Sequence, residues 1–207
     1  MEELVNRGGK DCESRQRIVD AALCLFAKKG FSGTGLRELA TEANVNIAMI
    51  SYFFGSKKGL LKEILDLFFS GYLAIARENL SGNEPVEPRL RRFVGATLSY
   101  FGNNRNALLI VLAEIPHDDP DIIEYKTLWA RQMMAELDEH LCRPLARQHG
   151  IHIQPQLLGP ILTSILAARF LFAPILEQIA PERCISPDPS AIDQITAVLL
   201  HGLIPRH

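Results

Sequence analysis

Lys57 and Lys58 stand directly behind Ser56, a good helix N-cap, and ahead of Leu60, Leu61, Ile64, Leu65 and Phe68, which recur at helical spacing. Cations at the positive end of a helix dipole are misplaced by about 0.3 to 1 kcal/mol each unless an anion meets them there. The N–H groups of a first turn, joined by a lysine, make a phosphate site, so this pair points to a polyanion. The charge distribution agrees: residues 1–62 hold 10 Lys and Arg against 7 Asp and Glu, whereas residues 63–207 hold 12 against 17. The overall charge of −2 hides that asymmetry, and a polyanion partner belongs to the N-terminal third.

Just upstream, residues 35–53 read as two short helices, about Gly35 to Ala43 and about Asn46 to Phe53. Leu39, Ala40, Val45 and Ile50 fall where they can share one small core, which is helix-turn-helix grammar. Thr34 reads as the cap of the first helix, and Asn44 suits a turn that needs the left-handed conformation. A plain helical hairpin obeys the same grammar. In the second helix, however, Asn46, Ile47, Ala48, Met49, Ser51 and Tyr52 are largely left over, an odd face for water but a suitable one for a DNA groove. The phosphate then sits at the next helix N-terminus, by Lys57.

Other chemistry finds less support. His117, Asp118 and Asp119 with Asp121 and Glu124 have metal-binding side chains, but Pro116 ends one helix and Asp118 or Asp119 caps the next, so no metal is expected. His140, His149, His152, His201 and His207 show no metal-ligand pairing. Cys12, Cys24, Cys142 and Cys184 form no CxxC pair, and no apolar leader opens the chain; they read as reduced thiols of a cytoplasmic protein, tolerated more than sensing. Neither GxSxG, HExxH nor a phosphate-binding glycine loop is present, so no enzyme and no cofactor is expected.

The elements that position these residues are helical throughout. With 207 residues, 47% of them apolar, the chain is an ordered protein whose apolar positions recur at three and four, giving an all-α fold. Helix one runs about Ser14 to Lys29, burying Ile18, Ala21, Ala22, Leu25 and Phe26, and stops at Gly30. The lysine-led helix extends to Leu80, and Ser81 to Pro88 is a loop. Helices follow near Arg89 to Asn103, Asn106 to Ile115, Asp119 to Gln148, Pro155 to Ile179, kinked by its prolines, and Ser190 to Leu203. Leu157 to Leu176 is long enough to span a bilayer, but Arg169, Gly159-Pro160 and Pro174 interrupt it, which favours a buried helix. Three domains follow: a flexible tail over 1–12, a helix-turn-helix domain over 13–55 completed by residues 56–66, and a larger helical region over 67–207. Phe93, Thr97, Phe101, Leu109, Glu114, Trp129, Met133 and Phe170 offer the usual lining of a pocket for an apolar or amphipathic small molecule.

Arg15 to Leu65, RQRIVDAALCLFAKKGFSGTGLRELATEANVNIAMISYFFGSKKGLLKEIL, resembles the DNA-binding domain of the TetR family of transcriptional regulators. The resemblance rests on Ile18, Ala21-Ala22, Leu25-Phe26, Gly30-Phe31, Thr34, Arg37, Leu39-Ala40, Val45, Phe54, Ser56-Lys57 and Leu60. It implies a homodimer, a repressor of a palindromic operator, whose C-terminal domain dimerises and holds an inducer. It also implies that Thr34 and Lys57 hold phosphates while Arg37 and Asn46 to Met49 approach bases. Ser51 and Phe53 depart from the tyrosine and the histidine or tyrosine common there, leaving Tyr52 as the aromatic hydroxyl for the backbone. Ile47 and Met49 make no bidentate base contacts, so readout there is apolar, for example with thymine methyls. For the dimer, Ile161, Ile165, Ala168 and Phe172 with Ile195 and Leu199 form the expected seam. The competing readings are an interaction protein or an all-α enzyme in which the helix-turn-helix is structural only.

Overall fold

The backbone is helical from Glu2 onward. The computed structural model describes residues 2–114, 119–179 and 189–203, with side chains over 11–112, 119–148, 150–179 and 189–200. Helix α1 spans Glu2–Gly33, so residues 2–12 belong to it instead of forming a separate tail. At Gly30 the backbone turns to φ 78° and ψ 159°, a conformation open to a residue without Cβ, and the regular part of α1 ends at the expected place.

Helices α2 (Leu36–Glu42), α3 (Ile47–Phe54) and α4 (Lys57–Leu80) follow, then α5 (Val86–Asn103) and α6 (Arg105–Leu109), which runs into a π-helical turn at Ile110–Glu114. Helix α7 (Pro120–Leu137) passes through a second π-helical turn, Asp138–Cys142, into α8 (Arg143–His149). Helices α9 (Pro155–Leu171), α10 (Ala173–Ile179) and α11 (Pro189–Leu203) close the chain, and among the described residues there is no strand. Helix α5 starts earlier than Arg89 because Pro88 falls in its first turn, where a missing N–H costs nothing.

The residues group into two units, Met1–Phe68 with Asn106–Ile123, and Phe69–Arg105 with Glu124–His207. In the first unit α1 packs against α2, α3 and the turn at Ile110–Glu114. Its core joins Ile18, Ala22 and Phe26 of α1 to Leu39 of α2, Ile50 of α3 and Leu60, Leu61, Ile64 and Leu65 of α4, all buried. In the second unit α5 is central, with Leu90, Phe93, Val94, Leu98 and Phe101 buried and with α9 and α11 packed on it. Gly95 permits the approach of α11, since a Cβ there would lie 3.2 Å from Ile192 Cδ1. Arg89, although charged, is buried and donates to the carbonyls of Leu80, Glu84 and His140 at 2.6, 3.0 and 3.0 Å, tying three segments together.

Pro174 has no N–H to give to Phe170 and so ends α9; α10 leaves it at 53°. No single described helix is long and apolar enough to cross a membrane, although this bent pair meets that test by length and composition. Helix α9 is 2% exposed at Phe170 and fully covered at Leu166 on one face, whereas the faces bearing Leu157, Ile161 and Leu171 are open.

Candidate nucleic-acid interface

The corner leading into α2 is built differently from the sequence expectation. Gly35, not Thr34, occupies the N-cap of α2, and the cap makes no side-chain hydrogen bond. Thr34 is buried, and its hydroxyl donates to the Gly30 carbonyl at 2.8 Å, so this side chain is withdrawn from any phosphate outside. Between α2 and α3, Asn44 takes φ 51°, the left-handed conformation its type tolerates, and the Val45 N–H donates to the Ala40 carbonyl at 3.0 Å. Asn46 caps α3 by accepting from the Ala48 N–H at 2.9 Å.

Helix α3 joins its unit chiefly through Ile50, its one buried residue. Ile47 is 41% exposed and Tyr52 76% exposed, while Asn46, Ala48 and Ser51 lie open beside them and Met49 is half-buried. The expected face is therefore exposed, and Arg37 of α2 is also exposed, with no ion-pair partner among the described residues. Phe53 is half-buried, with its ring edge-on to Tyr52 at 5.0 Å between centroids.

Lys57 is engaged within the chain. Its Nζ donates to the carbonyls of Phe31 and Thr34 at 2.8 Å each and lies 4.4 Å from the Phe31 ring centre, so two of its three N–H bonds hold the α1–α2 corner to the start of α4. Burial pushes its pKa below the usual lysine value. Lys58 meets its anions within the chain: it pairs with Asp119 at 2.7 Å and Asp121 at 3.2 Å. The hydrogen bonds to Asp119 and then Asp121 raise the Lys58 pKa, and the reciprocal bond lowers that of Asp119. Asp119 also caps α7, accepting from the Asp121 and Ile122 N–H groups. Ser56 caps α4 as expected, accepting from Gly59 N–H at 3.0 Å.

Gly59 was missed from sequence. A Cβ at this position would lie 1.9 Å from the Phe54 carbonyl oxygen, so only glycine lets the last turn of α3 abut the first turn of α4. Its place one residue behind a lysine pair, inside a helix where glycine is disfavoured, was the available signal.

In the second unit the structure brings Phe93, Phe101 and Phe170 together with Tyr72. The Tyr72 ring lies 6.1 Å from Phe93 and 5.2 Å from Phe101, and Phe101 meets Phe170 edge-on at 6.2 Å. Tyr72 is bonded to Thr163 at 3.3 Å, and burial pushes its hydroxyl up to about 12. Thr97 is fully buried on the same face of α5, and its hydroxyl has no partner among the described residues. Trp129 stacks on Phe69 at 6.0 Å, and it and Met133 are half-buried. Leu109 and Glu114 fall instead in the first unit, the side chain of Glu114 lying outside the described residues.

On the last helices Phe172 is 56% exposed, Ile161 is exposed, and Ile165, Ala168 and Ile195 are half-buried. Leu199 is only 4% exposed and serves the core of its own unit; the outward position beside it belongs to Val198, 64% exposed. Among the described residues no group of three His, Cys, Asp or Glu is placed to hold a metal, and His117, Asp118 and Cys184 lie outside them. Cys12 is exposed, Cys24 half-buried and Cys142 buried, its thiol pushed up to about 11 by burial and by the charge of Asp138.

Two short helices packed on α1, the second of them held by one buried residue and presenting an exposed, uncharged face, define a helix-turn-helix unit of the DNA-binding class. Residues 18–64 match the family model for bacterial regulatory proteins of the tetR family. The probable HTH-type transcriptional regulator YttP of Bacillus subtilis is 38% identical over 114 residues, which are 54% of this chain and 55% of that protein. The HTH-type transcriptional repressor NicS of Pseudomonas putida is 31% identical over 105 residues, 50% of this chain and 49% of that one. The matched segments thus span about half the length of these relatives. In fold, the fatty acid degradation regulator FadR of Bacillus halodurans superposes with a TM-score of 0.71 at 16% identity, over 93% of this chain and 97% of its own. FadR of Bacillus subtilis, solved in complex with stearoyl-CoA, gives 0.70 at 13% identity over 90% and 98%. Residues 18–64 thus form a DNA-binding segment of the tetR family, and the chain as a whole shares the fold of solved regulators of that family.

Proposed function

We propose that the protein is a ligand-responsive transcriptional regulator, a repressor that holds a palindromic operator as a homodimer and releases it on binding a small apolar or amphipathic effector. The exposed face of α3 carries this reading: Asn46, Ile47, Ala48, Ser51 and Tyr52 all lie open, and a large aliphatic and an aromatic left in water need a partner. With Thr34 and Lys57 engaged internally, Arg37 and Tyr52 take the polar contacts to DNA. The protein acts in the cytoplasm and does no catalysis.

Exposed Leu157, Ile161, Phe172, Ile175 and Val198 support the homodimer, since together they leave the last helices with an apolar face that a second copy would cover. The effector site is Phe93, Phe101 and Phe170 with the unpartnered Thr97 hydroxyl, a lining that suits an apolar body bearing one polar group. The stearoyl-CoA complex of the Bacillus subtilis neighbour is in keeping with an acyl chain. Two recognition helices must meet successive major grooves about 34 Å apart, so an effector that prefers a different dimer geometry lowers operator affinity by its differential affinity for the two states.

The internal bonds of Thr34 and Lys57 favour one competitor, an interaction protein whose helix-turn-helix is structural only. Selection of random duplex DNA by the purified chain, beside its Arg37→Ala and Tyr52→Ala variants, separates the two. An enriched inverted repeat that both variants bind more weakly supports the regulator. Absence of any enrichment, with and without a library of apolar compounds, would sink it.

A further inference from the structure

The chemistry of the α3 face specifies what it reads, given the DNA-binding reading above. No residue of α3 is charged. Asn46, just ahead of α3, is exposed and can hydrogen-bond a base edge; its Oδ1 already accepts the Ala48 N–H at 2.9 Å, with a second lone pair and the NH2 group left over. Ile47 and Ala48, next along and both exposed, carry neither donor nor acceptor. The one base-edge feature in the major groove that such side chains complement is the C5 methyl of thymine.

The patch does not suit a protein partner. A helix docking in a groove presents apolar anchors at i, i+3, i+4 and i+7, and counting from Ile47 these are the buried Ile50, the polar Ser51 and Phe54, half-buried at the end of the helix. The neighbouring Arg37 and the excess of basic over acidic residues in positions 1–62 favour a polyanion instead.

We infer that each operator half-site is read chiefly through thymine methyl groups against Ile47 and Ala48, with Asn46 adding hydrogen bonds beside them. Ile47 is thus a specificity-determining residue, acting by shape alone.

The test begins with an operator selected from random duplexes by the intact protein. Each thymine of that operator is then replaced singly by deoxyuridine, which removes the methyl and nothing else. One or two thymines in each half-site should lose about fourfold in affinity on losing their methyl, the value for one buried carbon. In the Ile47→Ala variant, whose exposed position leaves folding intact, the same replacement should cost less than twofold at the thymine under Ile47. A selected operator that tolerates deoxyuridine at every position, or that contains no thymine in its half-sites, would overturn methyl readout while leaving DNA binding intact. Failure to select any operator would overturn the DNA-binding reading itself, and this inference with it.

Discussion

Replacing Lys57 by methionine keeps the stem over Phe31 but deletes the charge and both hydrogen bonds to the Phe31 and Thr34 carbonyls. Hydrogen bonds from a charged donor contribute about 1.5 to 3 kcal/mol each, and the half-buried position argues for the lower end, or about 3 kcal/mol for the pair. Relief of the desolvation that lowers the lysine pKa returns part of this, leaving a net loss of about 2 kcal/mol. In a chain of this length that is a fall of about 4 to 8 °C in melting temperature, read by circular dichroism. A phosphate ligand would behave differently: its removal would leave Tm alone and flatten the dependence of log affinity on log salt by about 0.9 per contact. Lys57→Met with an unchanged melting temperature and a flattened salt slope would refute the strut assignment.

Gly59→Ala, which helix propensity alone would make stabilising by about 1 kcal/mol, should lower the melting temperature by several degrees, because its Cβ meets the Phe54 carbonyl; a raised Tm would contradict the close approach. Asp119→Asn keeps the cap on α7 but loses the pairing with Lys58. The Asp119 pKa is lowered on folding, so its stabilisation is present above about pH 4 and disappears as pH falls through the folded value; the gap between wild type and variant in urea denaturation should close below about pH 4. Tyr72 has the opposite sign, with a raised pKa: the folded state holds its proton, and stability drops from about pH 10 towards 12 by a few kcal/mol at most. Tyr72→Phe should remove that drop, as alkaline denaturation of the two proteins side by side would reveal. Phe172→Glu, placing a charge on the exposed face of the last helices, should halve the mass found by light scattering without unfolding the chain; a mass unaltered by the charge would point to a different dimer seam.

Much of the first unit could be read from local chemistry. Gly30 stops α1, Asn44 turns left-handed, Ser56 caps α4 and Ile50 alone of α3 goes inward, each because the deciding interaction spans only a few residues. The misreadings share the opposite property. The carbonyls that hold Lys57 lie 23 and 26 residues away and belong to the main chain, which presents the same carbonyl at every residue. The acids that answer Lys58 are more than sixty residues downstream. Thr34 was misassigned because a threonine before a helix caps it or bonds backward, and only the geometry at Gly30 chooses. Leu199, expected in the seam, turns inward because a helical pattern apolar on most sides leaves its phase open by about 100° per residue. The aromatic cluster around Phe101 was legible as apolar spacing on α5, but the addition of Tyr72 and the stranded Thr97 hydroxyl depend on tertiary packing.

The attachment of α3 by a single buried isoleucine divides the labour of eight residues very unevenly. Stability resides in Ile50, and positions 47, 48, 51 and 52 are free of it. Substitutions there cost the fold little, so descendants of this chain can change the sequence they recognise without first acquiring compensating mutations. Specificity and foldability then drift independently, and one scaffold can be inherited by many regulators that address different sequences.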